Sequence, residues 1–281
     1  MIHQYKSNGY NIVMDVESGA VHVVDDVTYD VIALFEDTET SKIVEQLSDK
    51  YDKADIEEAI SEVNQLKEDG QLFTQDIYQP FIEEFKDKRQ TVVKALCLHI
   101  AHDCNLACKY CFAEEGEYHG RRAMMSFEVG KKALDFLVAN SGSRVNLEVD
   151  FFGGEPLMNW DVVKQLVEYG RSLEEPNHKK FRFTLTTNGV LLNDEIMEYL
   201  NKEMSNVVLS LDGRKEVNDR MRPFRTGKGS YDLIVPKFQK LADSRNQTDY
   251  YVRGTFTHNN LDFSEDVLHL ADEGFEQISV E

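Results

Sequence analysis

The sequence predicts an α/β protein in two parts, a small winged-helix-like α+β unit followed by a larger parallel sheet with crossover helices. Two observations lead to this fold class. Short strands, tight turns and helices fill the first 76 residues, and strands then alternate with helices of about 10–15 residues from position 95 onward. The length of 281 residues and the apolar fraction of 41% suffice for one large folded unit or two smaller ones.

The charge of the chain narrows the classes of function. There are 31 Lys and Arg residues against 51 Asp and Glu residues, a formal net charge of −20. This balance argues against a nucleic-acid partner, which needs clustered Lys and Arg.

No apolar run approaches the ~18 residues that cross a bilayer, and Met1–Lys6 lacks the pattern of a signal peptide. We therefore expect a cytoplasmic protein without a membrane partner, whose cysteines are thiols or metal ligands rather than disulfides.

Two turns divide the start of the chain into three short strands. The first turn is the Asn8-Gly9 pair, a strong signal for a two-residue hairpin, and the second is Ser18-Gly19. The predicted strands, which form a meander, are Ile2–Lys6, Tyr10–Val16 and Ala20–Val24.

Helices follow the meander. The predicted segments are Val27–Phe35, Lys42–Ser48 and Ala54–Glu68. The third segment has apolar residues at one-face helical spacing, among them Ile56, Ile60 and Val63, and Gly70 ends it. Gln71–Thr74 then reads as a short returning strand, which would complete a winged-helix-like domain over residues 1–76.

A charge-rich segment with Pro80, residues 77–94, predicts a linker to a second domain at 95–281. The strands expected there are Ala95–Ala101, Val145–Phe151, Phe181–Thr186, Asn206–Leu211, Tyr250–Phe256 and Gln277–Val280. The helices expected between them are Ser126–Ala139, Trp160–Arg171, Asp194–Asn201, Tyr231–Ala242 and Phe263–Glu273. Six strands joined by crossover helices predict a parallel sheet, either doubly wound or curled into a partial barrel.

Three of the four cysteines, Cys104, Cys108 and Cys111, share the loop after the first of these strands. Thiolates in one loop can bind a metal ion or an iron–sulfur cluster. Alternatives are a zinc ion with His99 or His102 as the fourth ligand, and a redox pair formed by the last two cysteines. The fourth cysteine, at position 97, is expected to be a small buried residue in the strand.

The spacing C-x-x-x-C-x-aromatic-C, in which Tyr110 is the aromatic residue, resembles the signature of the radical SAM superfamily. The resemblance implies that the three cysteines bind a [4Fe-4S] cluster and that S-adenosylmethionine (SAM) chelates the remaining iron. An electron donor reduces the cluster, and SAM is cleaved to methionine and a 5′-deoxyadenosyl radical that abstracts hydrogen from a substrate. The larger domain is then a partial (β/α)6 barrel.

Three further motifs follow successive predicted strands: GGEP at 153–156, TTNG at 186–189 and SLDG at 210–213. Each stands at the carboxyl end of its strand, where barrel enzymes have their sites. All three are similar to motifs that surround SAM in the same superfamily. The SAM contacts implied by this resemblance are Gly153, Gly154 and Glu155 at the amino group and Thr187, Asn188 and Ser210 at the methionyl and ribose groups.

Arginines supply the remaining candidates. Arg253 shares a strand face with Tyr251, so it either points into the barrel mouth and pairs with the SAM carboxylate or is an exposed structural residue. Arg220, Arg222 and Arg225 follow the fourth strand and are expected in a solvated loop, the alternative being that they contact an anionic group.

Residues 1–76 resemble the peptide-recognition element of radical SAM maturases that act on ribosomally made peptides. Segments 11–26 and 94–112 most resemble the thioether-forming maturases of SCIFF peptides. The resemblance implies that the leader of a cysteine-rich precursor peptide adds a strand to the sheet of residues 1–76. It further implies cross-links from cysteine sulfur to an α-carbon. The alternatives are a sulfatase-activating or epimerising maturase, or a peptide-binding cluster protein without turnover.

Those maturases continue into a cysteine-rich domain that binds auxiliary iron–sulfur clusters. This sequence ends at Glu281 and has no cysteine after Cys111. The resemblance therefore implies either a piece of a longer protein or a chain that lacks the auxiliary domain.

Overall fold

In the computed structural model, which describes residues 1–88 and 91–281, the chain divides into two units, Met1–Gln90 and Thr91–Glu281. The predicted linker 77–94 falls across this division, and its residues 89–90 lie outside the described part of the chain. The rest of the predicted linker contains a 3-10 turn, Gln79–Phe81, and a helix, α4 (Ile82–Lys88).

The first unit is built on an antiparallel meander in the order β1 (Ile2–Ser7), β2 (Tyr10–Asp15), β3 (Val21–Val24). The turn between β1 and β2 has positive φ at both central residues, 49° at Asn8 and 83° at Gly9. This is the type I′ geometry that an Asn-Gly pair favours, because it matches the right-handed twist of the strands.

Three helices pack on one face of the meander: α1 (Asp26–Leu34), α2 (Thr40–Leu47) and α3 (Lys53–Glu68). The Asp25 side chain caps α1 by accepting a hydrogen bond from the Thr28 amide (2.8 Å). The core of the unit consists of fully buried aliphatic side chains from strand and helices, including Val13, Val31, Ile56 and Val63.

The predicted returning strand at Gln71–Thr74 is wrong. Phe73 has a φ of 54°, which interrupts an extended chain. The amide and hydroxyl of Thr74 donate to the buried carboxylate of Asp15 at 2.9 and 2.8 Å. The segment is thus attached to the end of β2 through a side chain rather than through a backbone ladder.

The second unit has one sheet of seven strands in the order β10-β9-β8-β7-β6-β4-β5. Its strands are β4 (Ala95–His102), β5 (Ala123–Met124), β6 (Asn146–Gly153), β7 (Lys180–Thr187), β8 (Asn206–Ser210), β9 (Tyr250–Gly254) and β10 (Ile278–Val280). All neighbours pair in parallel except β4 and β5, which are antiparallel. The predicted α/β fold with a parallel sheet and crossover helices is confirmed.

The crossover helices cover one face of this sheet. They are α5 (Phe127–Asn140), α6 (Trp160–Asn177), α7 (Asp194–Glu203), α8 (Lys215–Met221), α9 (Tyr231–Ser244) and α10 (Phe263–Asp272). Along β6, Leu147, Val149 and Phe151 are fully buried in the core shared with these helices. The intervening residues, including Asp150 and Phe152, therefore face the opposite side of the sheet, here called the open face.

Three elements of the second unit were not predicted, and the first is a 3-10 turn after β6, Pro156–Asn159. Strand β5 has only two residues, too few for a periodic pattern, and α8 is a short polar helix in which Val217 and Met221 are the buried apolar residues. Of the helices in the described ranges, none is long and apolar enough to span a membrane.

Candidate functional site

The three clustered cysteines lie around one cavity at the carboxyl ends of β6, β7 and β8. The cavity contains about 670 Å³ of space outside atoms, including its open mouth. The predicted site residues that line it are Cys104, Cys108, Tyr110, Cys111, Gly153, Gly154, Thr187, Asn188, Ser210 and Arg253.

The cysteine loop is held by the segment that follows α8. The amide of Ala107 donates to the carbonyl of Pro223 (2.8 Å), and the amide of Lys109 donates to the carbonyl of Met221 (2.9 Å). The guanidinium of Arg225 donates to the carbonyl of Cys104 at 2.7 Å. These three hydrogen bonds, at Cys104 and on both sides of Cys108, attach the loop to the end of α8 and the residues after it, more than one hundred positions later in the chain.

The two glycines at the end of β6 allow the backbone to touch this loop. A Cβ atom on Gly154 would lie 2.1 Å from the carbonyl oxygen of Asp103, and one on Gly153 would lie 2.5 Å from that of Ala101. Gly153 also has a φ of 125°, which a residue with a side chain rarely adopts. The glycines are thus required by close backbone approach next to Cys104.

Glu155 lies behind the cavity wall rather than in its lining. Its Oε1 accepts hydrogen bonds from the Leu157 amide (3.0 Å) and the Thr187 hydroxyl (2.8 Å), and its Oε2 accepts one from the Asn188 amide (2.8 Å). Full burial raises the pKa of this carboxyl, and the three hydrogen bonds oppose that shift. In this geometry Glu155 joins the ends of β6 and β7, whereas the sequence predicted a contact with SAM.

Asn188 reaches back to the cysteine loop. Its Nδ2 donates to Oδ1 of Asn105 (2.7 Å) and lies 3.6 Å from Sγ of Cys104. Ser210, at the end of β8, is buried and borders the same cavity. The ends of three strands are thus brought to within reach of one bound group.

Tyr110 belongs to a buried polar network. Its hydroxyl donates to Oδ1 of Asp212 (2.8 Å) and accepts from Nη1 of Arg222 (2.6 Å). The sequence placed Arg222 in a solvated loop, but the side chain is buried and borders the cavity. No periodic or motif signal around Arg222 indicates this position, because it depends on how α8 packs against the cysteine loop.

Arg253 faces the cavity, which is the first of its two predicted orientations. Its guanidinium lies 5.8 Å from the ring centre of Phe152 and 3.9 Å from the carboxylate of Glu281. His99 and His102 instead stack on Tyr118, with ring centres 4.4 and 4.8 Å apart, and are not part of the cavity lining. Cys97, predicted to be buried, is exposed.

The thiols fit a cluster better than a single metal ion. Burial raises the pKa of Cys104 to about 12 and also raises that of Cys108, so an isolated thiol here stays protonated. Coordination to iron favours the thiolate. In the part of the chain that the structure describes, no three His, Cys, Asp or Glu side chains converge closely enough to hold one ion. A [4Fe-4S] cluster provides a separate iron for each thiolate, so such convergence is not needed.

Comparisons with known proteins agree with this assignment. The sequence profile of the radical SAM superfamily matches residues 98–259, more than half of the chain. An uncharacterized protein, MJ0907, from Methanocaldococcus jannaschii is 30% identical over 188 residues, which cover 66% of this chain and 62% of that protein. The radical SAM cyclopropyl synthase TigE from Paramaledivibacter caminithermalis is 26% identical over 184 residues, which cover 60% and 38%.

Two solved structures share the fold. The structure of anSMEcpe with bound AdoMet and the Cp18Cys peptide matches with a TM-score of 0.59 and 22% identity, over 68% of this chain and 50% of that chain. SuiB from Streptococcus suis bound to S-adenosylmethionine matches with a TM-score of 0.51 and 18% identity, over 99% and 61%. The chain thus spans between 38% and 62% of the length of these four proteins. Since the family profile covers most of the second unit, the chain belongs to the radical SAM superfamily of enzymes, and the predicted [4Fe-4S] cluster and SAM are confirmed as its cofactors.

Proposed function

We propose that this enzyme modifies a ribosomally made, cysteine-rich precursor peptide by forming thioether links from cysteine sulfur to an α-carbon. The observation that supports a peptide substrate is the open edge of β3 in the first unit. The same chain also contains a radical SAM unit with a cavity lined by the three clustered cysteines. The thioether product rests on the resemblance of the sequence to SCIFF maturases.

The edge of β3 offers backbone groups for an added strand. In the described part of the unit, β3 pairs with β2 alone. The Asp15 amide donates to the carbonyl of Ala20 (3.0 Å), and hydrogen-bonded pairs alternate along an antiparallel ladder. The backbone amides and carbonyls of Val21 and Val23 therefore point away from β2, and their side chains are exposed. An extended leader peptide fits this edge by β-augmentation.

The residues of the cavity fit the chemistry that follows. Bound at Cys104, Cys108 and Cys111, the cluster with SAM would supply one-electron reductive cleavage of SAM and abstraction of a hydrogen atom from the substrate. Gly153 and Gly154 allow the backbone after β6 to lie against the residues before Cys104. The buried cavity residues Thr187 and Asn188 limit the access of water to the reacting atoms.

Each proposed link forms one C–S bond and breaks one C–H and one S–H bond. The hydrogen atom from carbon leaves with the deoxyadenosyl group, and the thiol proton passes to solvent. The remaining electron passes to a one-electron acceptor of the iron–sulfur class. The peptide therefore loses two hydrogens for every link, which mass spectrometry measures directly.

The known proteins support a peptide substrate without specifying the product. The structure of anSMEcpe contains a bound peptide, and TigE is a cyclopropyl synthase. The SuiB match extends over 99% of this chain, so both units have counterparts in that fold.

Binding of the leader tests the role of the β3 edge. We expect Val23→Pro to abolish binding of a synthetic cysteine-rich precursor peptide of the SCIFF type, because proline removes an edge N–H without touching the β2–β3 ladder. Val23→Ala is the matched control, since it keeps the N–H and removes only the exposed side chain. Fluorescence anisotropy with the labelled leader measures both affinities, and equal binding by the proline variant contradicts β-augmentation.

Turnover of the same peptide tests the product. With reduced cluster and SAM, we expect a loss of two hydrogens per link and one deoxyadenosine per link. Unchanged peptide mass with deuterium uptake at an α-carbon would instead indicate an epimerising maturase. Deoxyadenosine without any change in the peptide would show that this peptide is not the substrate.

A further inference from the structure

A buried positive charge stands beside the cysteine loop and makes no direct hydrogen bond to the carboxylate that faces it. Arg222 is 7% exposed, and it borders the cavity that the three cysteines line. Its Nη1 is 4.0 Å from Oδ1 of Asp212, which is too far for a direct hydrogen bond. The Nε of Arg222 and the Oδ2 of Asp212 are buried atoms without a hydrogen-bond partner.

Tyr110 separates the two charges. Its hydroxyl donates to Asp212 and accepts from Arg222, so both side chains are held by the same phenol inside the cysteine motif. A second bond holds the carboxylate, since the Thr255 amide donates to Oδ1 of Asp212 at 3.2 Å. A well-formed Arg–carboxylate pair would be bidentate, and this arrangement prevents that geometry. The guanidinium charge is therefore only partly offset where it faces the loop.

We propose that Arg222, held by the positioning residues Tyr110 and Asp212, raises the reduction potential of the cluster bound at Cys104, Cys108 and Cys111. The proposal depends on the cluster alone and holds whatever substrate is modified.

The sign follows from the charges. A [4Fe-4S]²⁺ core with three thiolates has a net charge of −1, and one-electron reduction makes it −2. A nearby positive charge stabilises the reduced form more than the oxidised form, and burial strengthens the interaction because the local dielectric constant is low. A nearby carboxylate has the opposite effect.

The backbone places Arg222 beside the middle cysteine of the motif. The amide of Ala107 donates to the carbonyl of Pro223 at 2.8 Å, and the amide of Lys109 donates to the carbonyl of Met221 at 2.9 Å. The residues on either side of Cys108 are therefore bonded to the residues on either side of Arg222. The effect of Arg222 is expected to be largest near Cys108.

Opposite shifts from two neighbouring residues test this proposal. We expect Arg222→Gln to lower the midpoint potential of the reconstituted, SAM-free full chain at pH 8, and Asp212→Asn to raise it. The expected change is at least tenfold in the ratio of reduced to oxidised cluster at a fixed potential, about 59 mV for one electron. Potentiometric titration followed by electron paramagnetic resonance measures these shifts independently of turnover.

Two further variants separate charge from structure. Tyr110→Phe removes a hydroxyl and no charge, so we expect a shift smaller than that of either charged variant. Arg222→Lys retains the charge and should remain closer to the parent than Arg222→Gln. If Arg222→Gln does not bind a cluster, the midpoint potentials of Arg222→Lys and Asp212→Asn still test the proposal. A downward or absent shift in Asp212→Asn, or shifts of the same sign in both charged variants, overturns the proposal.

Discussion

At the residue scale, we expect the cluster to depend on three thiols and not on the fourth. Cys104, Cys108 and Cys111 line the cavity, whereas Cys97 lies within β4 and outside that lining. Since three thiolates hold a [4Fe-4S] cluster only together, we expect an alanine substitution at any one of the three to abolish the broad visible absorption after anaerobic reconstitution. Cys97→Ala is the control and should retain it. A Cys97 variant without the absorption would show that the ligand set is wrong.

Gly154 imposes a second requirement at this scale, since a methyl group there would overlap the backbone of Asp103. We expect Gly154→Ala to displace the residue before Cys104 and to cost about 1–3 kcal/mol of unfolding free energy, as overpacked sites do. Iron content per chain should fall as well. Gly120→Ala is the matched control, because its Cβ would lie 3.4 Å from the nearest atom, an ordinary contact. Equal iron content in both variants would contradict the close approach.

Asp150 is an unused carboxyl on the open face of the sheet. Its neighbours in register are Cys97 on β4 and Thr184 on β7, and its Oδ1 is buried without a hydrogen-bond partner. Burial raises the pKa of Asp150 from 3.8 to about 6, although the charge of Arg253 opposes the shift. The folded protein therefore binds a proton at this site in a pH range where the unfolded chain has lost it.

The stability of the protein should reflect this titration. Because the pKa is higher in the folded state, the contribution of Asp150 becomes less favourable as pH rises from about 4 to 6 and stays so above 6. We expect Asp150→Asn to gain stability relative to the parent across this range, by up to about 3 kcal/mol. Chemical denaturation at pH 4.5 and pH 7.5 measures the difference. A difference that does not change with pH would show that Asp150 keeps an ordinary pKa.

At the scale of elements, Glu155 connects the ends of two strands. It accepts three hydrogen bonds, from the 3-10 turn after β6 and from the end of β7. In Glu155→Gln one carboxylate oxygen becomes an NH2 group, which faces an N–H or O–H donor. We expect a loss of about 1.5–3 kcal/mol in unfolding free energy, the range for hydrogen bonds to a charged group.

A partly exposed glutamate within β6 provides the comparison. The Glu148 side chain is 40% exposed and pairs with Lys94 at 3.0 Å, so Glu148→Gln should cost no more than about 1 kcal/mol. Thermal unfolding of the two variants at equal pH and salt distinguishes them. Equal losses would mean that the β6–β7 connection contributes no more than a surface ion pair.

On the scale of the whole molecule, each unit has its own apolar core. The core of the first unit is formed by residues of β2 and α1–α3, and that of the second by the sheet and its helices. We expect Ile56→Ala, a cavity at a fully buried site, to destabilise the first unit by about 2–5 kcal/mol. Iron content and the unfolding transition of the second unit should remain as in the parent. Loss of both transitions together would show that the two cores unfold as one.

The peptide-recognition role of the first unit can be tested in the same variant. If leader affinity falls in Ile56→Ala while SAM binding is retained, binding of the leader depends on the folded first unit. If Ile56→Ala unfolds the first unit and still binds the leader with the affinity of the parent, the proposed role of residues 1–76 is contradicted.

The sequence by itself determined the local elements and the family. Asn8-Gly9 specifies its own turn geometry, and the alternation of strands and helices predicts the parallel sheet, because these patterns depend on neighbours within about ten positions. The motif that begins at Cys104 indicates the family for the same reason, since its three cysteines share one loop.

Only the tertiary structure decided which polar residues are buried together. Arg222 lies near Tyr110 because α8 packs the following segment against the cysteine loop. Glu155 lies outside the cavity lining, where the Leu157 amide, the Thr187 hydroxyl and the Asn188 amide donate to its carboxylate. Phe73 leaves the extended conformation where Thr74 binds the carboxylate of Asp15. Each of these choices depends on contacts between positions more than thirty residues apart, which no local pattern encodes.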